Sequence, residues 1–402
     1  MNESFINYKC KRNKLCINLN DILATLAFSI NYFIAIIGGS IQGMSVLYIL
    51  FFIQLYRTKI KMNIISLVAV FILLILFCFS EFKLGYLSTT NDYLINFICF
   101  DIVLFFIGGI KFNKNKIIQY SVILGFIGLP VFIYKVSILY DNMGVGYAIL
   151  PLFLTSIICL ITLFSKIIKI CAVCNIITFG LFYIQEGMRG ILLAIITFLI
   201  LFLYTVLISK IEKKYRYICG IILINAGMVL ITIILQNLVF IVLNLNLILE
   251  KHFHLEIYAI RKFLYYVSQG NISNGRSFLI EKAIQMIKKS PIIGNGIGYF
   301  ESNIFTYVHN IFLQVTCEFG VLGFLIMTYI FIYTLKKIFF TIPYKYKLNE
   351  HQKKESLFFI VIFITGVFFL LYSSSYWLYG QFWFFLGVLL KERFYEKKKG
   401  RK

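Results

Sequence analysis

Charge is scarce in this sequence: Asp, Glu, Lys and Arg make up 14% of 402 residues, where soluble domains carry about a quarter. Proline is scarcer, at four residues, while the hydrophobic share is 60% against roughly 45–50% in soluble chains. A soluble globular enzyme is excluded. There are four aspartates, Asp21, Asp92, Asp101 and Asp141, and no two stand two apart. The chain therefore has no DxD motif, the carboxylate pair that holds a divalent ion against a nucleotide-sugar diphosphate. Histidine is limited to four residues; His252 and His254 form an HxH pair with no third ligand in view, so no metal and no cofactor is expected. Nine cysteines fall mostly inside apolar runs without a spaced framework, and the Cys171-x-x-Cys174 pair lacks a βαβ context, so they read as small apolar residues. No A-x-A-like cleavage site follows the basic N-terminal stretch, and the run from Ile22 is expected to stay as a first membrane crossing.

What is present in quantity is apolar run. At about 20 residues per membrane helix, twelve crossings are expected: 22–40, 41–56, 63–80, 92–110, 117–134, 147–165, 167–185, 190–209, 217–245, 310–335, 356–373 and 376–390. The fold class is all-α, a polytopic transmembrane bundle forming one integral membrane domain over 1–402. An even count puts both termini on one side. The segments on that side, 1–21, 57–62, 111–116, 166–169, 210–216, 336–355 and 391–402, hold 29 of the 39 Lys and Arg but seven of the 17 acids. They carry the whole net charge of +22. By the positive-inside rule that side, with both termini, is cytoplasmic. The charge is thus topological and calls for no nucleic acid; the expected location is a membrane with both termini on its cytoplasmic side.

One connection is long. Residues 246–309 form an external loop of about sixty residues, and long loops in compact proteins usually carry function. Within it, 277–289 reads as an amphipathic helix, with Leu279, Ile280, Ala283, Ile284, Met286 and Ile287 on one face and Glu281, Lys282, Gln285, Lys288 and Lys289 on the other. It would lie on the membrane or pack on the bundle, and Pro291 stops it. Gly275-Arg276 precedes it. An Arg at a helix N-terminus adds a full charge to free N–H groups and suits an anion such as phosphate; the alternative is an Arg snorkelling towards headgroups. Glu186-Gly187-Met188-Arg189-Gly190 is a second external turn, with Arg189 opening a crossing and Glu186 as either its ion-pair partner or a reserve base. His309-Asn310 ends the loop: Asn310 is a good N-cap, and His309 can exchange protons near neutral pH. Gly294, Gly296 and Gly298 alternate without the strand or spacing of a dinucleotide fingerprint and permit a tight backbone path under the His. Asp101 is the acid deepest inside a crossing, a candidate buried functional group.

The stretch from Asn274 to Leu322 resembles the C-terminal motifs of the O-antigen polymerase and ligase superfamily. The matching residues are Gly275-Arg276, Pro291 with Gly294 and Gly296, His309-Asn310-Ile311-Phe312-Leu313-Gln314, and Glu318-Phe319-Gly320 with Gly323; Met188-Arg189-Gly190 matches the family's Arg-Gly turn. The resemblance implies glycan transfer from an undecaprenyl diphosphate carrier on the outer face of the membrane. Arg189 and Arg276 would hold the diphosphate, His309 would serve as base with Glu186 in reserve, and Asn310, Gly275, Gly294 and Gly296 would support the loop. The compact loop is more like a polymerase that extends O-antigen or capsular repeat units than a ligase that moves finished polymer onto lipid A–core. Neither Arg has the glycine eleven residues on that the polymerase R-x10-G pattern has. Partners would be lipid-linked oligosaccharides, membrane lipid, and a chain-length regulator and flippase of the same pathway. A glycan flippase or other transporter, and a non-catalytic assembly factor, remain as rival readings.

Overall fold

The computed structural model describes residues 18–399, except 38–39, 59–63, 85–87, 139–141, 187, 213, 254–257, 270–275 and 342–349. Among the described residues the chain is all helix and turn, with no strand. The first half runs α1 (Leu19–Phe28), α2 (Ile30–Ile37), α3 (Ser40–Thr58), α4 (Ile64–Leu84), α5 (Ser88–Asn96), a π-turn (Phe97–Asp101), α6 (Ile102–Gly109), α7 (Lys114–Ile127), α8 (Leu129–Ile138) and α9 (Asn142–Ile161). The second half runs α10 (Lys166–Glu186), α11 (Arg189–Lys210), α12 (Arg216–Gln236), α13 (Leu238–Phe253), α14 (Tyr258–Ser268), α15 (Arg276–Lys289), α16 (Tyr299–Ile304), α17 (Ile311–Lys336), α18 (Glu350–Gly366) and α19 (Gly380–Lys399).

Among the described residues seven helices are long and apolar enough to cross a membrane by length and composition, or up to nine if the pairs bent by 89° (α1 with α2) and 52° (α7 with α8) are each one span. Twelve crossings are therefore not confirmed. Helix α3 contains Gln42 and Gln54, and α19 ends in Lys391, Glu392 and a further run of charges; their windows are more polar than their apolar cores suggest.

Helix α18 is the hub. Residues 356–366 are buried on every side, as a helix surrounded by protein must be, and its aromatic side chains interlock with neighbours, as in Phe28–Phe358 and Phe331–Phe363. The outer helices α4, α10, α11 and α13 instead expose Ile, Leu and Phe side chains. That is the pattern of a hydrocarbon-facing surface, since backbone groups are satisfied within each helix and the side chains need only be apolar.

Polar groups collect at the two ends. At one end Lys114 binds Glu392 at 2.5 Å and Lys337 binds its other oxygen. Asn20 donates to the Lys111 carbonyl at 3.0 Å, Asp21 accepts from the Asn113 amide at 2.7 Å, and Arg216 Nε donates to the Ile211 carbonyl at 2.6 Å. Lys354 reaches the Leu163 carbonyl at that same end. These are the segments whose lysines and arginines carry the net charge. The opposite end holds the 290–310 turn and everything that binds it.

Candidate functional site

The site is a loop zipped onto a kinked helix. Helix α15 ends at Lys289, and the chain turns back through Pro291 and three glycines of positive φ, Gly294 (79°), Gly296 (107°) and Gly298 (76°). Helix α17 breaks at Gly320, whose φ of 63° and ψ of −152° belong to glycine-only territory. The two irregularities are one junction. The Val321 amide, released from its own helix, donates to the Pro291 carbonyl at 2.9 Å, while the Cys317 and Glu318 carbonyls accept from Asn295 at 2.8 Å and Gly296 at 3.0 Å. Asn295 Nδ2 adds bonds to the Met286 carbonyl at 3.0 Å and the Cys317 carbonyl at 3.1 Å. A Cβ at Gly294 would lie 2.3 Å from the Glu318 carbonyl oxygen, and one at Gly320 2.3 Å from that of Ile292. Glycines on both strands of the junction are thus required by backbone contact.

The first membrane helices grip the same loop. Lys83 of α4 donates to the Gly294 carbonyl at 2.6 Å, Thr90 of α5 to the Ile297 carbonyl at 2.8 Å, and the Ile297 amide donates to Ser80 Oγ at 3.0 Å. Helix α15 lies over this junction with Ala283 and Met286 buried against Phe300, Val308 and Cys317, and with Phe278, Ile280 and Ile284 exposed. The amphipathic face is therefore shared between the protein and the outside.

His309 sits on this base. Its backbone holds φ 57°, and its ring lies 4.3 Å from that of Tyr307. Its Nδ1 is buried without a hydrogen-bond partner among the described residues. Burial, and secondly the Arg276 guanidinium, pushes the imidazole down to about 4, because both disfavour the charged ring. His309 is thus neutral at neutral pH. Asn310 caps α17 as expected, its Oδ1 accepting from Phe312 at 3.0 Å and Leu313 at 3.2 Å.

Arg276 is the first residue of α15 and is exposed. Tyr147 of α9 faces Arg276, Tyr307 and Ser373, and Tyr372 faces Tyr147 and Arg276. The Tyr372 hydroxyl donates to the Gly190 carbonyl at 2.9 Å, and a Cβ on Gly190 would meet the Tyr147 hydroxyl at 2.8 Å. The N-terminus of α11, which begins at Arg189, is thereby joined through two tyrosines to Arg276 and on to His309. The side chain of Arg189 and all of Gly275 fall outside the described residues, and with them the pairing of Glu186 with Arg189. Glu186 ends α10, half-buried. Asp101 is fully buried on the π-turn, bonded by Asn96 Nδ2 at 3.2 Å, and is no part of this site. Among the described residues no group of three His, Cys, Asp or Glu could hold a metal ion.

The sequence reading missed Tyr147, Tyr372, Glu301 and Gln314. Glu301 (α16) and Glu318 (α17) are buried on either side of Gln314 Nε2, which lies 3.1 Å from one carboxyl and 3.2 Å from the other. The segment between α18 and α19 supplies Tyr372, Ser375, Tyr376 and Trp377 to these contacts.

Residues 151–328 match a family model described as O-antigen ligase. Over these residues, somewhat under half of its length, the chain is similar to that family, in keeping with the motifs that resemble the O-antigen polymerase and ligase superfamily. No curated protein matches the chain. The matched stretch begins inside α9 and ends inside α17, so it includes Glu186, Arg189, Arg276, the glycine junction, His309 and Glu318. The similarity supports, in general terms, a membrane glycosyltransferase-like enzyme of O-antigen polysaccharide biosynthesis. Tyr147 and the 372–377 segment complete its site from outside the matched residues.

Proposed function

We propose that the protein is a metal-independent glycosyltransferase that polymerises undecaprenyl-diphosphate-linked oligosaccharide repeat units into O-antigen or capsular polysaccharide on the outer face of a bacterial cytoplasmic membrane. The observation that carries this reading is the convergence of three groups, a neutral His309 with an unpartnered ring nitrogen, the Arg276 guanidinium at a helix start, and the N-terminus of α11. A neutral imidazole can take the proton of an acceptor sugar hydroxyl as it attacks the anomeric carbon. The departing diphosphate gathers negative charge, and Arg276 with Arg189 at helix N-termini stabilises it without a cation. Tyr147 and Tyr372 line the ground between the two arginine-bearing helix starts and give the pocket hydroxyl groups for sugar or phosphate oxygens. Glu186 is the reserve base. A chain-length regulator and a flippase would act beside it on the same lipid-linked substrates.

Ligation of finished polymer onto lipid A–core is the second reading, favoured by the description of the family that matches residues 151–328. The two differ in acceptor and share the donor site. An envelope polysaccharide gel of a deletion strain separates them. A polymerase deletion leaves one repeat unit on the anchor, and His309→Ala fails to restore the ladder. A ligase deletion leaves a bare anchor with lipid-linked polymer accumulating. An unchanged ladder would remove both readings.

A further inference from the structure

Two buried glutamates beside the site have no part in the transfer step. Gln314 Nε2 is 3.1 Å from Glu301 Oε1, 3.2 Å from Glu318 Oε1 and 2.7 Å from Ser375 Oγ. The two carboxyls are served unequally. Both oxygens of Glu318 accept from Trp377 Nε1, at 3.2 and 3.0 Å, and its Oε2 also accepts from the Tyr376 hydroxyl. Glu301 is 6% exposed and has fewer donors: besides Gln314 the Tyr93 hydroxyl reaches its carboxyl, and its Oε2 is buried without a hydrogen bond of good geometry among the described residues. Two carboxylates sharing one donor in a dry site do not both ionise. The one ringed by more donors keeps the charge, and the one with fewer keeps the proton.

We propose that Glu301 is held as a neutral acid beside an ionised Glu318, and that this Glu301–Gln314–Glu318 bridge is the device that positions His309. Glu301 stands eight residues before His309 and Gln314 five after it, so the bridge ties both flanks of the turn that carries the imidazole. That turn needs a tie. Phe305 and His309 hold φ of 60° and 57°, conformations that persist only where the surroundings impose them, and Phe305, 91% exposed, is not held by burial. Burial pushes the Glu301 carboxyl up; what decides which of the pair keeps the proton is the donors alone, three side chains to Glu318 against two to Glu301.

The titratable groups that face the pair are Tyr93 from α5, Tyr376 from the segment before α19 and Cys317 from α17. Lys83 from α4, the cation that reaches this loop, donates to the Gly294 carbonyl. Raising the pH until Glu301 ionises sets a second negative charge against Glu318, breaks the bridge and frees the turn. The inference rests on the transfer reading only for what the turn is used for; both residues act through His309 and touch no reacting atom.

The test is hydrogen exchange of residues 305–310 in the full-length protein in lipid nanodiscs, across neutral to alkaline pH and corrected for intrinsic rates. In the wild type, protection is expected to fall by up to about tenfold per pH unit once Glu301 ionises. Glu301→Gln, neutral at every pH, should show no such step. Glu318→Gln removes the neighbouring charge and should move the step to lower pH. A wild-type turn whose protection ignores pH, a step that survives in Glu301→Gln, or an unmoved step in Glu318→Gln overturns the positioning device and leaves the transfer reading standing. The expected steps in a protein that moves no glycan keep the device and remove the transfer reading.

Discussion

His309 shows how one residue can be set for chemistry by its neighbours' charge and by burial. Its imidazole is pushed down to about 4, below the usual value near 6.5, so the sign of each consequence is fixed. The unfolded chain takes up a proton as pH falls through the ordinary histidine range while the folded one does not, so this group's contribution to stability is lost on acidification towards pH 4. The base form is present throughout neutral pH, and kcat/KM should stay level there and fall only as pH approaches the folded value. Arg276 contributes to the depression, so Arg276→Gln should raise the His309 titration midpoint, read by NMR of labelled histidine. An unmoved midpoint would mean that the two groups do not sense each other. Gly294 gives a prediction of another kind. Gly294→Ala places a Cβ 2.3 Å from the Glu318 carbonyl at φ 79°, and should cost at least about 1–3 kcal/mol, measured as a fall in melting temperature in detergent. His309, Asn310, Arg276 and Gly294 were legible in the sequence because a polar or glycine residue against an apolar background declares a local need. Tyr372 was not, because it is one of 27 tyrosines and its partner Gly190 lies 182 residues away.

At the scale of elements, two motifs separated in sequence prove to be two sides of one backbone junction. The Pro-x-x-Gly-x-Gly stretch and the Glu-x-Gly stretch exchange hydrogen bonds, with the Val321 amide going to Pro291 and the Cys317 carbonyl receiving Asn295. Spacing alone does not disclose this, since the kink at Gly320 is what releases the helical groups that the loop takes up. The amphipathic helix over 277–289 was legible from its periodicity, yet the periodicity left open what covers its apolar face. Cys317 and Phe300 cover part of it, and Phe278 and Ile284 remain exposed. Asn295 holds the junction from the loop side with amide bonds to both Met286 and Cys317. Asn295→Ala should therefore lose about 1–3 kcal/mol, the net worth of buried bonds plus the carbonyls left wanting. The amides of Asn295, Gly296 and Val321 should then open to hydrogen exchange together. If Val321 stays protected while the loop amides open, the junction is not a single unit.

Over the whole molecule, stability and chemistry are assigned to opposite ends. The lysine-rich end is tied by Glu392 between Lys114 and Lys337, with exposures of 15%, 21% and 11%, and the loop end holds His309 and Arg276. Glu392→Ala would take from two largely buried ammonium groups the carboxylate they share, a loss of up to about 3–5 kcal/mol, and should lower the melting temperature while Arg276→Ala leaves it in place. Among the described residues Lys111, Lys114, Lys337 and Lys391 of those segments lie together, as expected where lysine and arginine stay out of hydrocarbon whatever the packing. Twelve crossings are not confirmed, and the runs over 22–40 and 117–134, each expected as one crossing, are helix pairs bent by 89° and 52° among the described residues, which an apolar run does not disclose. Sidedness is an expectation from the same charges: with the net charge of +22 on the lysine-rich segments, the positive-inside rule predicts that end in the cytoplasm and the loop end outward, as the proposed transfer from a lipid-linked donor requires. Single cysteines at Asn303, exposed on α16, and at Lys111, exposed at the other end, test this in a background with the native cysteines replaced. A membrane-impermeant thiol reagent should label the first in intact cells and the second only after the membrane is opened. The reverse pattern would turn His309 and both arginines towards nucleotide-linked donors, and the reading of an outer-face transferase would fall with it.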